Sequence, residues 1–399
     1  MTADLSFGGL LIVSLIAVAA PLLVAAVPAV RLPAVVVEIL AGILVGPSVL
    51  GWVEVDAPVA VLALVGLAFL LFLAGLEIDL ASLRGDLLRL PLIGFALSLA
   101  VGLLAGLAFD AAGWVDSAPF LAIALAATSL GLVIPVLKDS GAADRPVGQF
   151  TIAAATIGDF GAVILLSLFF SESEGSGASK LIAAAFFAAV IAAVAVALAR
   201  AGRSMRLDAA LTRLQDTTAE IRVRIAVALM IGFVALAART GLETILGAFI
   251  AGAVLGAIDR DSVTHPHFRV KLEAVGYGFL IPVFFVTSGV RFDLDALTAN
   301  PSALARVPVF LLALLAARGV PALLYRRRIS GNGVLVAGLL QATSLPFIVA
   351  ATQIGVSIGA VTPVTAAALV SAGLLSVVVF PPLALARLRR EPAAVPPGG

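Results

Sequence analysis

The sequence predicts an all-α polytopic membrane protein of about thirteen transmembrane helices, whose two halves form an inverted repeat. Three observations support this prediction. First, 62% of the 399 residues are hydrophobic and only 12% are charged, whereas soluble domains carry about 25% charged residues. Second, apolar stretches of about 20 residues, the length that crosses a bilayer, recur along the chain. Third, short segments of the first half recur in the second half at a nearly constant offset.

Hydropathy, the positions of Pro and Gly, and charged gaps divide the chain into thirteen predicted spans. The spans cover residues 7–30, 33–50, 58–77, 90–109, 118–137, 149–170, 179–199, 223–238, 243–258, 275–290, 303–325, 332–353 and 361–386. The longest loop, 200–222, is too short to form a soluble domain, and residues 391–399 are expected to be a disordered tail. Function is therefore expected within the membrane domain of residues 1–390.

Basic residues indicate how these spans are oriented, because cytoplasmic loops are enriched in Lys and Arg. With the N-terminus outside, 20 of the 25 basic residues fall on one side of the membrane. Only Lys180, Arg239, Arg291 and Arg306 fall on the other side, and Arg318 lies within a span. We therefore expect the N-terminus outside the cell and the C-terminus in the cytoplasm.

Three segments of the first half recur in the second half, at offsets of 210, 214 and 215 residues. The pairs are Ala41–Gly46 with Ala251–Gly256, Gly75–Leu80 with Gly289–Leu294, and Ala127–Leu130 with Ala342–Leu345. Repeat partners are seven spans apart in the thirteen-span arrangement, and an odd number makes them cross the membrane in opposite directions. The repeat is therefore inverted, an architecture that many secondary transporters use for alternating access.

The third repeated pair, Ala-Thr-Ser-Leu, predicts an interrupted helix in each half. Thr and Ser side chains compete with helical backbone hydrogen bonds, and a proline, Pro135 or Pro346, follows each copy. Interrupted backbone at membrane depth is tolerated only where protein buries it or a wet cavity adjoins it, so paired interruptions indicate a substrate site. The candidate binding residues are Thr128, Ser129, Thr343 and Ser344. The alternative is a pair of kinked helices in which Thr and Ser only support packing.

Asp159 is the ionisable residue that lies deepest within a predicted span, and no basic residue occurs within ten positions of it. A carboxylate inside a membrane must be paired, protonated or bound to a cation. Burial raises the pKa of a carboxylic acid and a bound cation lowers it, so a single group can exchange a proton for a cation. This chemistry predicts antiport at Asp159. The alternative is a permanent buried partner that neutralises the charge.

Arg318 is the only basic residue more than five positions from both ends of a predicted span. It could pair with Asp159, offset the dipoles of interrupted helices, or extend its charge to the cytoplasmic edge. It cannot carry the proton, because an arginine stays charged. Glu38 and Glu77 lie towards span ends, where solvated positions are expected, and together with Gln341 they are accessory candidates. The chain has no cysteine and no zinc, phosphate-loop or Ser/His motif, so neither an enzyme nor a cofactor is predicted.

These residues resemble the monovalent cation:proton antiporter superfamily, in the branch of bacterial Na+/H+ exchangers and K+ efflux antiporters. The most specific segments are residues 71–80, residues 282–290 and the span that contains Asp159. The resemblance implies the sodium/proton antiporter fold, with two crossed, unwound helices beside an ion-binding aspartate. It matches Asp159 to the aspartate that binds the transported metal ion, Na+ or K+, and Arg318 to a stabilising basic residue.

The resemblance further implies a homodimer in the bacterial inner membrane. A core of spans 90–170 and 303–386 would move against a dimerisation scaffold of spans 7–77 and 179–290. Relatives commonly carry Asp, Asn or Gln where this chain has Gly158, and a single carboxylate favours electroneutral exchange of Na+ or K+ for H+. The nucleotide-binding domain of some K+ systems is not found, so such gating would require a separate cytoplasmic regulatory subunit.

Two other functions remain as alternatives. One is a cation channel, which would conduct passively and without coupling to protons. The other is a transporter of an organic anion with a related inverted-repeat fold, although a lone buried carboxylate such as Asp159 would repel an anion. Membrane lipid is the expected environment, and the net charge of +1 gives no electrostatic basis for binding nucleic acid.

Overall fold

The computed structural model describes most of the chain. The described residues are 7–26, 33–77, 83–170, 185–187, 189–194, 196, 220–258, 267–299 and 301–388. Every regular element within these ranges is a helix, which confirms the all-α prediction. The predicted tail, 391–399, and much of the predicted span 179–199 lie outside the described residues.

The labelled helices follow one another along the chain without intervening strands in the described ranges. They are α1 Gly8–Ala26, α2 Ala34–Val45, α3 Ala57–Leu76, α4 Asp86–Ala111, α5 Ala118–Ala126, α6 Leu130–Asp139, α7 Pro146–Phe169, α8 Ile221–Arg239, α9 Thr244–Ile258, α10 Phe268–Val290, α11 Leu294–Thr298, α12 Pro301–Arg327, α13 Gly331–Gln341, α14 Pro346–Ser357 and α15 Pro363–Leu388. α10 contains a π-helical turn at Gly276–Leu280, and α12 continues as a 3₁₀ helix from Val320.

Nine helices among the described residues are long and apolar enough to cross a membrane, when α5 and α6 are counted as one. The pair α13 and α14, bent by 41°, adds a tenth span. Shorter apolar helices occur at Ala34–Val45, Ala185–Val194 and Thr244–Ala257, where three further spans are predicted. The prediction of a multi-pass membrane protein is thus confirmed, while the count of thirteen spans stays a prediction.

α10 begins at Phe268, before the predicted span 275–290. Charged side chains of its first turns form ion pairs: Arg269 Nε lies 2.9 Å from Glu273 Oε1 one turn away, and Lys271 Nζ lies 2.9 Å from Glu220 Oε1. Hydropathy ends a span where charges appear, although the helix itself continues. The helix thus begins before the predicted span, and the start of the span stays a prediction.

One of two compact units comprises residues within 1–80 and 163–292. In this unit α2 packs on α10 through two glycines. A Cβ atom on Gly42 would lie 2.1 Å from the carbonyl oxygen of Val286, and one on Gly289 would lie 2.1 Å from that of Ile39. Only glycine permits helix backbones to approach this closely.

The contact of α3 with α9 is built in the same way. A Cβ atom on Gly75 would lie 2.0 Å from the carbonyl oxygen of Phe249, and one on Gly252 would lie 1.9 Å from that of Phe72. In the sequence repeat, Gly252 corresponds to Gly42 and Gly289 corresponds to Gly75. The two helix contacts are therefore equivalent under the internal repeat, each joining one helix of the first half to one of the second.

The second unit contains both interrupted helices. It comprises residues within 81–162 and 293–399. α5 ends at Ala126 and α6 begins at Leu130, while α13 ends at Gln341 and α14 begins at Pro346. Residues 127–129 and 342–345 are called the first and the second break from here on. Both breaks fall on the repeated Ala-Thr-Ser-Leu, which confirms the predicted pair of unwound helices.

The two prolines contribute differently to the breaks. Pro346 is the first residue of α14, a position where its missing N–H and fixed φ suit the start of a helix. Pro135 lies inside α6, past its first turn, so its predicted part in the first break is wrong. Hydrogen bonds from other helices, described below, hold residues 127–129 out of the helical conformation instead.

Packing at both ends of this unit fixes the helices around the breaks. At one end the rings of Phe150 on α7 and Tyr325 on α12 stack with centroids 4.9 Å apart. At the other end Arg306 lies over the ring of Trp114, 5.4 Å from its centroid, and its Nη1 donates to the hydroxyl of Thr365 at 3.1 Å. α7, α12 and α15 are thus held on either side of the polar residues between them.

Candidate functional site

Asp159 lies in the middle of α7, and its carboxylate oxygens bind the first break and the first residue of α6. Oδ1 accepts the backbone N–H of Thr128 at 3.0 Å, and Oδ2 accepts that of Leu130 at 3.2 Å. N–H groups at the start of a helix have no carbonyl partner in that helix. The carboxylate therefore caps α6, whose N-terminal end favours negative charge.

The two breaks are hydrogen-bonded to each other. The N–H of Ser129, between the two groups that bind Asp159, donates to the carbonyl of Thr343 at 3.0 Å. The hydroxyl of Thr128 donates to the carbonyl of Gln341 at 2.7 Å. The predicted binding residues of the two halves are thus brought together, although more than 200 positions separate them in the sequence.

Arg318 is buried on α12, with 1% relative exposure. Its Nε donates to the hydroxyl of Thr128 at 2.8 Å, its Nη1 to the hydroxyl of Ser98 at 3.2 Å, and its Nη2 to the carbonyl of Ala154 at 3.1 Å. These partners replace the water that a charged side chain would otherwise need. The alternative in which Arg318 extends to the cytoplasmic edge is therefore wrong.

Thr128 connects the two charges of this site. Its N–H donates to Asp159, and its hydroxyl oxygen accepts from Arg318. Because Arg318 stays charged, it lowers the electrostatic cost of the buried carboxylate without entering proton exchange.

Gly158 leaves room for the Arg318 guanidinium. A Cβ atom at this position would lie 2.8 Å from Nη2 of Arg318 and 3.2 Å from the carbonyl oxygen of Ala126. Real Cβ atoms essentially never come within 3.0 Å of another heavy atom. The residue before Asp159 therefore cannot carry a side chain unless Arg318 moves.

The hydroxyls of the repeated Thr-Ser pairs differ in their hydrogen bonds. Both threonine hydroxyls are engaged, Thr128 with the second break and Thr343 with the carbonyl of Leu339 at 3.2 Å. The side chain of Ser129 caps no backbone N–H, and Oγ of Ser344 is buried with no partner among the described residues. The serines are therefore the hydroxyls available to a ligand, and the sequence did not distinguish them from the threonines.

The three accessory candidates lie in different places. Gln341 ends α13 at the second break, and its carbonyl binds Thr128. Glu77 and Glu38 belong to the other unit. Arg269 Nη2 lies 3.4 Å from Glu77 Oε1. Glu38 is only 5% exposed on α2, so the solvated position expected for it is wrong.

Sequence reasoning missed two serines of this unit. Ser98 on α4 binds Arg318, and Ser376 on α15 accepts the N–H of Ser344 at 3.1 Å. A single serine in a long apolar span carries no distinguishing signal, since most such hydroxyls bond to their own helix. The position of Ser376 within the repeat could have revealed it.

A cation bound here would have few charged ligands. Among the residues that the structure describes, no group of three or more His, Asp or Glu could hold a metal ion. One carboxylate with neutral hydroxyl and carbonyl oxygens suits a hard, weakly held monovalent cation better than a tightly bound divalent or transition metal.

Comparison with known proteins shows which family and which solved structure this chain resembles. A family model described as "Sodium/hydrogen exchanger, transmembrane" matches residues 14–385. The sodium proton antiporter MjNhaP1 from Methanocaldococcus jannaschii superposes with a TM-score of 0.67 at 20% identity, covering 95% of this chain and 97% of that one. This likeness confirms the predicted antiporter fold.

Three relatives illustrate the range of similar sequences. YjbQ of Bacillus subtilis is 29% identical over 405 residues, which cover 98% of this chain but only 64% of that protein. The Na(+)/H(+) antiporter of Enterococcus hirae is 30% identical over 66% of this chain and 67% of its own length. The Na(+)/H(+)-K(+) antiporter GerN of Bacillus cereus is 28% identical over 88% and 89%, respectively. The chain thus spans less than two thirds of YjbQ.

A matched pair of substitutions tests which hydroxyl joins the breaks. Thr128→Val should lower stability by about 1–3 kcal/mol, because it removes the bond to the Gln341 carbonyl and deprives Arg318 of an acceptor. Thr343→Val should cost less than about 1 kcal/mol, since its hydroxyl bonds only within its own helix. Unfolding temperatures of the purified variants measure the difference. Equal losses would contradict the assigned contacts.

A second pair tests the space beside Asp159. Gly158→Ala should lower stability by about 1–3 kcal/mol, because the new methyl group must displace a buried guanidinium. Gly232→Ala on α8 is the control, since a Cβ atom there meets no atom within 4 Å and alanine favours a helix. Thermal unfolding of both variants gives the comparison. A Gly158→Ala protein as stable as the control would show that Arg318 lies elsewhere.

Proposed function

The chain belongs to the sodium/hydrogen exchanger family, and we propose that it exchanges a monovalent cation, Na+ or K+, for a proton across the membrane by alternating access. The match over residues 14–385 confirms the family that the residues themselves resembled. The transported ions are substrates in this scheme.

Asp159 carries this proposal. Its carboxylate binds the first interrupted helix, where both of its oxygens already accept backbone N–H groups, and that interruption is hydrogen-bonded to the second. A proton and a cation cannot both occupy one carboxylate, because each neutralises the same charge. Competition for Asp159 therefore couples the release of one ion to the binding of the other.

Neutral oxygens would complete the cation site. The hydroxyls of Ser129 and Ser344 are the side-chain ligands that we propose beside Asp159, and unwound carbonyls of the breaks can add further oxygens. Thr128, Thr343 and Gly158 shape the site without binding the ion through side chains. Arg318 supplies a fixed positive charge.

The names of relatives support cation exchange. The Enterococcus hirae protein is named a Na(+)/H(+) antiporter and GerN a Na(+)/H(+)-K(+) antiporter, so both Na+ and K+ are reasonable substrates for this chain. Neither a channel nor an organic-anion transporter is favoured by these names. A buried carboxylate at the site also disfavours an anionic substrate, because like charges repel.

A single exchanging carboxylate implies that one positive charge crosses the membrane in each direction per transport cycle. Where relatives carry a polar or acidic residue before the aspartate, this chain has Gly158, and Arg318 fills the adjacent space. We therefore propose electroneutral exchange, in which one Na+ or K+ replaces one H+ on Asp159.

The unit of residues 81–162 and 293–399 is proposed as the transporting core, because it contains Asp159 and both breaks. The other unit would serve as the dimerisation scaffold of a homodimer. We place the protein in the bacterial inner membrane with the N-terminus outside and the C-terminus in the cytoplasm, on the distribution of Lys and Arg. A separate cytoplasmic regulatory subunit is a further partner that we propose.

Asp159→Asn should abolish cation/proton exchange, because asparagine keeps the shape of the side chain but cannot bind or release a proton. Asp56→Asn is the matched control: Asp56 also caps a helix, through the N–H of Val59 at 3.0 Å, and asparagine caps as well as aspartate. Exchange is measured in proteoliposomes with a pH-sensitive dye after addition of Na+, K+ or Li+. Wild-type rates from Asp159→Asn, with Asp56→Asn also active, would remove Asp159 from the mechanism.

Electroneutral exchange predicts proton movement without net charge movement. Proteoliposomes on a solid-supported membrane should show a pH change after a Na+ jump but no sustained current. Dissipating the membrane potential should leave the initial rate unchanged. A steady current that requires Asp159 would reveal a second transported charge and contradict the one-for-one scheme.

A further inference from the structure

We propose that Ser376 is a positioning residue for the cation site: it is the uncharged counterpart of Asp159 in the second half and holds the second break in place. This inference rests on the function proposed above. Ser376 lies on α15, is fully buried, and is not among the residues that the sequence suggested.

Asp159 and Ser376 occupy equivalent positions in the repeat. α7 begins at Pro146 and α15 begins at Pro363, each proline being followed by valine. Asp159 and Ser376 both lie 13 residues after that proline. Their offset of 217 residues is close to the 215 that separates the two copies of Ala-Thr-Ser-Leu.

The contacts are similar but displaced by one residue. Asp159 accepts the N–H groups of Thr128 and Leu130, whereas Ser376 Oγ accepts the N–H of Ser344, the counterpart of Ser129, at 3.1 Å. The Ser376 hydroxyl lies within donating distance of two carbonyls, that of Gly373 at 2.7 Å and that of Ser344 at 3.2 Å. In each half, therefore, the residue 13 positions after the first proline of the helix, Asp159 on α7 or Ser376 on α15, accepts an N–H group at an interrupted helix.

Ser376 is linked to Asp159 through the backbone of both breaks. Ser344 follows Thr343, whose carbonyl accepts the N–H of Ser129 at 3.0 Å. Ser129 in turn lies between the two residues whose N–H groups bind Asp159. A shift of the peptide at Ser344 would therefore move the first break relative to the carboxylate.

The position of the second break also determines where the hydroxyl of Ser344, a proposed cation ligand, lies. Oγ of Ser344 is buried without a partner among the described residues, so its direction depends on the backbone that carries it. By holding the N–H of Ser344, Ser376 fixes that backbone. Loss of the bond should therefore weaken cation binding even though Ser376 itself does not contact the ion.

The chemical difference between the two positions explains why the repeat has one ion site. A carboxylate at Ser376 would be a second buried charge, which would need its own proton or cation. A hydroxyl satisfies the N–H of Ser344 without that charge. The two halves can thus share one backbone arrangement while only the first half carries the exchanging group.

An ordinary structural role is the competing explanation, since serine in a helix often bonds to a carbonyl of the preceding turn. Ser376 does make such a bond to Gly373. That role predicts a change in stability alone, whereas positioning predicts weaker cation binding as well.

The test compares Ser376→Ala with Ser371→Ala, a serine on the same helix that is only partly buried. Each purified variant is assayed for exchange in proteoliposomes and for the Na+ or K+ concentration that gives half of the cation-induced rise in unfolding temperature. Ser376→Ala should raise the apparent cation KM and this half-maximal concentration by about three- to tenfold, the worth of one buried hydrogen bond. Ser371→Ala should leave both unchanged, and Ser376→Thr, which keeps the hydroxyl, should restore most of the affinity.

Two outcomes would overturn the inference. One is a Ser376→Ala protein with a lower unfolding temperature but wild-type cation dependence, which would assign Ser376 to stability alone. The other is an equal loss of affinity in Ser376→Ala and Ser376→Thr, which would show that the hydroxyl is not involved. Wild type and Asp159→Asn are measured alongside. If the proposed function itself fails, the wild type will show no exchange, which distinguishes that failure from the two outcomes above.

Discussion

Interrupted helices leave backbone N–H groups without carbonyl partners, and inside a membrane-spanning unit bulk water cannot replace those partners. The two hydrogen bonds from Thr128 and Leu130 to Asp159 satisfy this constraint in the first half. The rest of the site depends on them, because they place a carboxylate at a helix N-terminus where its charge is tolerated. The group that holds the break is thus the group to which we assign the exchange of a proton for a cation.

A buried carboxylate needs compensation beyond two N–H groups. Arg318 provides it through Thr128, whose hydroxyl oxygen accepts from the guanidinium while its N–H donates to Asp159. Gly158 makes this possible, since any side chain there would meet Arg318. The same hydroxyl donates to Gln341 in the second break, so charge compensation and the joining of the two halves use one side chain. Charge at the site is therefore tied to the relative position of the two breaks.

The sequence predicted the breaks and Asp159 correctly as structural features, because a repeated Thr-Ser pair and a lone intramembrane carboxylate have few ordinary uses. The sequence did not predict which of the Thr and Ser hydroxyls in the breaks form hydrogen bonds. Thr128 and Ser129 look equivalent in a sequence, and only the approach of Gln341 and Arg318 decides between them. Glu38 was placed in solvent for a similar reason: hydropathy locates a residue along a helix but not the neighbouring helix that covers it. Pro135 was assigned to a break that tertiary hydrogen bonds create. The ion specificity and the dimer stay predictions, since neither has a local signature.

The central claim is that a cation and a proton compete for one carboxylate. Calorimetric titration of the purified protein with Na+ and K+, in buffers of different ionisation enthalpy, counts the protons released on binding. The account predicts release approaching one proton per cation at low pH and falling towards zero at high pH, with affinity rising over the same range. Cation binding that releases no proton at any pH between about 5 and 9 would contradict it.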